Sequence, residues 1–196
     1  GCDALRYVID QTEEICLESV KANGFSLRFV REQDEEICMA AINTSLNAFR
    51  YVISQTPEMC LMVVKIDGMQ LEYVISQTEV ICTEAVKQNQ HAIQLVKEQT
   101  YEMCDGALKR DINLIAYCNL QDKEKLQLLC NYAVKINGRL LGCVKMQTDE
   151  ICLNAVKQNG EALQFVKKQT EEICMEAVRQ TGWAIQYVRR QTPEIC

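Results

Sequence analysis

Histidine and proline are nearly absent from this chain. Its 196 residues include one histidine, His91, and two prolines, Pro57 and Pro193. So little proline argues against a disordered chain and leaves long stretches free to form helix. A single histidine cannot serve many cysteines as catalytic base or as zinc co-ligand. No apolar run approaches the ~20 residues that span a bilayer, so no membrane segment is expected. Positive charge is not in excess either: 21 Lys and Arg stand against 27 Asp and Glu, a formal net charge of −6. That balance speaks against nucleic acid as a partner. Cys-x-x-Cys, G-x-S-x-G and P-loop motifs are missing too. The expectation is therefore a protein that is not an enzyme and has no cofactor and no metal.

Cysteine, by contrast, is plentiful, with 12 residues. Nine of them form one column: Cys16, Cys38, Cys60, Cys82, Cys104, Cys130, Cys152, Cys174 and Cys196. The step is 22 residues throughout, except for 26 between Cys104 and Cys130. Such a fixed period marks a repeat architecture. The units run 1–22, 23–44, 45–66, 67–88, 89–110, 111–136 with a four-residue insertion, 137–158, 159–180 and a truncated 181–196.

Each unit reads as two helices. A cap-type residue opens most units, as at Asn23, Asp67, Asn137 and Asn159. Apolar residues at positions 4, 5, 7 and 8 follow with helical spacing, predicting a first helix of about eight residues. Position 11 is glutamine in every unit: Gln11, Gln33, Gln55, Gln77, Gln99, Gln121, Gln147, Gln169 and Gln191. Position 12 is Thr or Asp in every unit and reads as the N-cap of a second helix of about nine residues. Acidic residues then fill the first turn and a basic residue usually closes the last, each opposing the helix dipole. Glycine at position 2 is expected to let the chain turn out of the second helix. The insertion around Lys123–Leu126 adds four residues, about one turn, at the start of its second helix.

Helices this short cannot stand alone in water. Stacked neighbours must supply the missing core, so the fold class is all-α: an α-solenoid of about nine 22-residue helix-turn-helix repeats.

The pattern "ALxYVxxQTxEICxxAVKQNG", seen in "QTEEIC" at 11–16 and 169–174 and "AVKQNG" at 155–160, resembles the short helical repeats of domain of unknown function 4116. Those repeats are abundant in mimivirus-like giant viruses. The resemblance implies a viral protein in the cytoplasm of the host cell or in the virion, a reducing environment. It carries over no activity and no catalytic residues.

Equivalent atoms of stacked units sit about 9–10 Å apart, beyond the roughly 7 Å between Cα atoms that a disulfide allows. The column cysteines are therefore expected as core packing atoms. The glutamine column is expected to satisfy backbone groups of the turns, within or between units. The aromatic column, among it Tyr7, Phe29, Tyr51, Tyr73 and Phe165, is expected mostly in the core. Ile9, Ile53 and Ile75 occupy position 9, elsewhere charged, as at Arg31 and Lys97, and form a candidate partner surface.

Three functional readings follow. The first is a non-enzymatic scaffold mediating protein-protein interaction. The second is a structural viral protein that self-associates end to end. The third is a cysteine-rich redox or metal-binding protein.

Overall fold

Each long helix starts on a residue that the sequence marks as a cap. In this structure, a computed structural model that describes residues 4–193, Thr12, Asp34, Thr56 and Thr78 precede α1 (Glu13–Ala22), α2 (Glu35–Thr44), α3 (Pro57–Ile66) and α4 (Glu79–Gln88). Thr100, Asp122, Thr148 and Thr170 precede α5 (Tyr101–Leu108), α6 (Lys123–Ile136), α7 (Asp149–Gln158) and α8 (Glu171–Gln180). In each case the cap side chain accepts a backbone N–H of the first turn, as Asp34 accepts from Ile37 at 2.7 Å. This satisfies one of the donors that a helix start leaves orphaned. The 14 residues of α6 exceed the 10 of α7, so the extra residues are helical.

The first element of each repeat differs from expectation. It is a short 3-10 helix, of six residues in most repeats, as at Gly24–Phe29, Gly68–Tyr73 and Gly160–Phe165, not an eight-residue α-helix. Two local bonds set this geometry. The capping Asn23 side chain accepts from the N–H of Phe25, and the Ser26 N–H bonds back three residues to the Asn23 carbonyl. The valine at position 8, Val30 here, is already extended. Too few residues remain for a ladder of four-residue spacing, and the tighter helix is the form used in short pieces.

Position-2 glycine also has a different cause. No described glycine has a positive φ. A Cβ at Gly24, Gly68, Gly138 or Gly160 would instead overlap the carbonyl oxygen of Ala41, Ala85, Ala155 or Ala177 on the α-helix of the same repeat. The hydrogen side chain is needed for close approach of the two helices, a recognised use of glycine.

The molecule divides into two compact units, one ending at Val96 and one beginning at Lys97. In the first, α1 packs on α2 and α3 on α4, and the 3-10 helices Gly24–Phe29, Leu46–Tyr51, Gly68–Tyr73 and Gln90–Leu95 pack in series. In the second, α5 to α8 pack in series, and so do the 3-10 helices Ile112–Tyr117, Gly138–Gly142, Gly160–Phe165 and Gly182–Tyr187. The fold is an all-α repeat solenoid, without strands among the described residues. Its core is built from the same columns in both units: Leu27, Leu71 and Leu163 of the 3-10 helices meet Ile37, Ile81 and Ile173 of the α-helices.

The aromatic column is a correction. Phe29, Tyr51, Tyr73, Phe165 and Tyr187 are only half-buried, and Tyr7 and Tyr117 are exposed. Positions 5 and 8 take the core side of the short helix, which leaves position 7 at its edge. Arginines cover some of these rings: Arg28 lies 4.5 Å from the Phe29 centroid, and Arg50 lies 5.5 Å from Tyr51 and 5.1 Å from Tyr73.

Candidate functional site

The glutamine at position 11 joins successive repeats by a two-point contact. Its Nε2 donates to the carbonyl of position 7 in the next repeat, at 2.8–3.0 Å, from Gln11, Gln33, Gln55, Gln77, Gln99, Gln147 and Gln169. Its Oε1 accepts the backbone N–H of position 9 in that repeat, at 2.7–3.1 Å, from Arg31, Ile53, Ile75, Asn119, Lys167 and Arg189. The primary amide thus pairs with an extended segment as a peptide group would. Gln and Asn carry the carboxamide that reproduces a peptide's donor and acceptor, and Gln has the greater reach.

The cysteine has its place in the same arrangement. The thiols of Cys16, Cys38, Cys60, Cys82, Cys104, Cys152 and Cys174 each lie 3.4–4.0 Å from the Oε1 of the glutamine five residues earlier. Each sulfur is buried and donates a weak S–H bond to an oxygen already fixed by the next repeat. The cysteine is a packing atom with one weak polar task. Among the described residues no cysteine is disulfide-bonded. Cys196 lies outside the described residues.

Burial makes most of these thiols poor acids. It pushes Cys38 up to about 11, aided by the carboxylates of Asp34 and Glu35, and pushes Cys130 up to about 11. Cys16, Cys60, Cys152 and Cys174 are raised for the same first reason.

Gln121 departs from the column. It is exposed, and among the described residues it makes no clamp to the repeat that follows. It stands before the lengthened α6, where the period breaks. There the 3-10 helix Gly138–Gly142 is one residue shorter, and Cys143 ends it in an α conformation. Gln191 is exposed.

A second glutamine contact has no counterpart among the sequence expectations. The position-22 side chains of Gln88, Gln158 and Gln180 accept the N–H of Gly68, Gly138 and Gly160 at 2.7, 2.6 and 2.6 Å. Gln88 also donates to the Ile66 carbonyl at 2.9 Å. The signal was present: glutamine at position 22 occurs together with glycine at position 2 in these three repeats.

Position 9 forms an edge whose character changes along the chain. The guanidinium of Arg31 donates to the Ile9 carbonyl at 2.8 Å, and that of Arg189 to the Lys167 and Val166 carbonyls at 2.8 and 3.0 Å. Isoleucine makes the same edge apolar. Ile9, Ile53 and Ile75 are 81%, 67% and 62% exposed. Ile53 and Ile75 flank a groove of about 210 Å³ lined also by Pro57, Cys60, Thr78 and Ile81.

One more cluster sits where the period breaks. Cys118 replaces the valine of position 8, is buried, and acts electrostatically on both Cys104 and Cys130. Its thiol is within reach of the Leu114 carbonyl, at 3.6 Å, and of the Cys104 sulfur. Among the described residues no three His, Cys, Asp or Glu side chains are placed to hold a metal ion.

The family model described as a domain of unknown function, DUF4116, matches residues 12–54 and 148–191. The matched segments together cover less than half of the chain. The two DUF4116 segments begin on the helix caps Thr12 and Thr148, and each holds two of the column cysteines, Cys16 with Cys38 and Cys152 with Cys174. The thiol cluster around Cys118 lies outside both. Neither the curated proteins nor the solved structures gave a match.

Proposed function

We propose that the chain is a non-enzymatic scaffold that binds other proteins through its position-9 edge. The observation that carries this is the pair of exposed isoleucines, Ile53 and Ile75, beside the groove lined by Pro57 and Ile81. An apolar strip at positions that elsewhere carry charge marks a contact surface for a partner. The glutamine clamp keeps the spacing of this edge fixed, because it grips the backbone N–H of Ile53 and of Ile75. A preordered edge costs little entropy on binding. The partner's complement is an apolar side chain with basic neighbours, since Glu58 and Glu79 stand in the adjoining first helical turns.

Buried thiols along the column support a reducing compartment for this protein. The DUF4116 repeats suit a viral origin, which makes that compartment the host-cell cytoplasm or the virion. No helix among the described residues is long and apolar enough to cross a membrane.

Affinity capture from cells of the natural host tests the reading, with the wild-type chain beside an Ile53→Glu/Ile75→Glu variant. Both residues are exposed, so the variant keeps its urea midpoint. The expected result is a set of proteins held by the wild type and lost from the variant. Equal capture by both chains would refute the proposal.

A further inference from the structure

The cysteine column is spaced too widely for cross-linking between equivalent residues, but Cys118 is not an equivalent residue. It stands at position 8, where the other repeats have Val8, Val30, Val52, Val74, Val96, Val144, Val166 and Val188. The substitution puts a sulfur between two members of the column.

Gln99 fixes the approach. Its Nε2 donates to the Tyr117 carbonyl at 3.0 Å, and its Oε1 accepts from the Asn119 N–H at 2.7 Å. The same Oε1 accepts from the Cys104 thiol at 3.4 Å. One amide therefore holds the backbone on both sides of Cys118 and the Cys104 sulfur together. The Cys118 thiol donates to the Leu114 carbonyl at 3.6 Å and neighbours the Cys104 thiol. The neighbouring Cys118 thiol lowers Cys104 against the opposing effect of burial, whereas Cys118 itself is raised.

We propose that Cys104 and Cys118 form a redox-active dithiol, which a small peroxide converts to a disulfide in the folded protein. The Cys104 thiolate attacks one oxygen of hydrogen peroxide, the O–O bond breaks, and the leaving hydroxide takes up the proton that Cys104 released, giving a sulfenic acid and water. The Cys118 sulfur then attacks the Cys104 sulfur. The S–O bond breaks, the Cys118 proton passes to the leaving oxygen, and a second water departs. Two thiols lose two electrons and two protons, and one peroxide becomes two waters. Both residues are at most 1% exposed, which shuts out bulky reagents and leaves peroxide to enter through local opening of the fold. The bond ties α5 to the end of Ile112–Tyr117, the junction that Gln99 already clamps. It lies beside α6, where the regular clamp from Gln121 is missing.

The test is peroxide treatment of the folded chain, then denaturation, alkylation and trypsin digestion. Trypsin places Cys104 in 98–109, Cys118 in 111–123 and Cys130 in 126–135. Mass spectrometry should find 98–109 joined to 111–123 with the loss of two hydrogens, formed faster than any other pair and undone by dithiothreitol. Cys118→Val, which installs the residue of the other repeats, should abolish the link and leave Cys104 open to alkylation after denaturation. The proposal fails if both cysteines stay reduced at peroxide levels that oxidise the exposed Cys143, or if Cys118 joins Cys130 instead. It also fails if the link appears only in urea.

Discussion

The Oε1 of Gln55 accepts the backbone N–H of Ile75 across the boundary between two repeats, at 2.9 Å. The same amide donates to the carbonyl of Tyr73 at 2.8 Å. Loss of the side chain strands both backbone groups at the seam. Gln55→Ala should lower stability by roughly 1–3 kcal/mol. Gln121→Ala should change it by less than about 0.5 kcal/mol, since that side chain is exposed and unclamped. Urea titrations of the two variants side by side check the contrast. Equal effects would mean that the clamp is not what holds the repeats together.

Two glycines should respond in opposite directions to the same substitution. A Cβ at Gly160 collides with the Ala177 carbonyl, whereas a Cβ at Gly106 meets nothing within 4 Å. Gly160→Ala should therefore destabilise by about 1–3 kcal/mol through overpacking. Gly106→Ala, inside α5, should stabilise by roughly 0.5–1 kcal/mol through helix propensity. Thermal unfolding followed by circular dichroism reads both signs.

Burial of the thiols predicts a stability that falls in alkali. Cys38 and Cys130 are pushed from the ordinary 9.0 up to about 11. The folded state then holds their protons more tightly than the unfolded state. The stabilisation is fully present below about pH 9 and is lost as pH rises through 11. The urea midpoint of the wild type should drop across that interval. A Cys38→Ala/Cys130→Ala variant should show a shallower drop, which separates the thiols from lysine and tyrosine titration.

The helix caps offer a fourth check. Thr148 accepts the N–H of Ile151 at 3.3 Å and opens α7. Thr148→Ala should cost about 1 kcal/mol, and Thr148→Asp should restore most of it, as Asp34 serves α2. Denaturant midpoints of the three proteins decide it. Similar losses in both variants would mean that the hydroxyl bond is not the relevant contact.

Local chemistry was readable without coordinates because it repeats within a few residues. Thr12 followed by Glu13 and Glu14 announces a helix start wherever it stands, through the orphan N–H groups and the dipole. The lengthened α6 was readable in the same way, since four residues before Leu126 amount to one turn. The choice of a 3-10 helix at Gly24–Phe29 was not readable. Apolar spacing at positions 4, 5, 7 and 8 fits either helix. The decision lies with the extended Val30, whose neighbours are held by the preceding repeat's glutamine.

The amino-acid sequence by itself determined the all-α repeat, its period and its helix starts, because capping and apolar periodicity act over short stretches of chain. Only the tertiary structure decided why Gly68 must lack a side chain, why Tyr73 stays half-exposed, and why Cys118 meets Cys104. Each of those facts depends on which atoms of distant residues arrive at the same place, and close packing rather than local preference sets that.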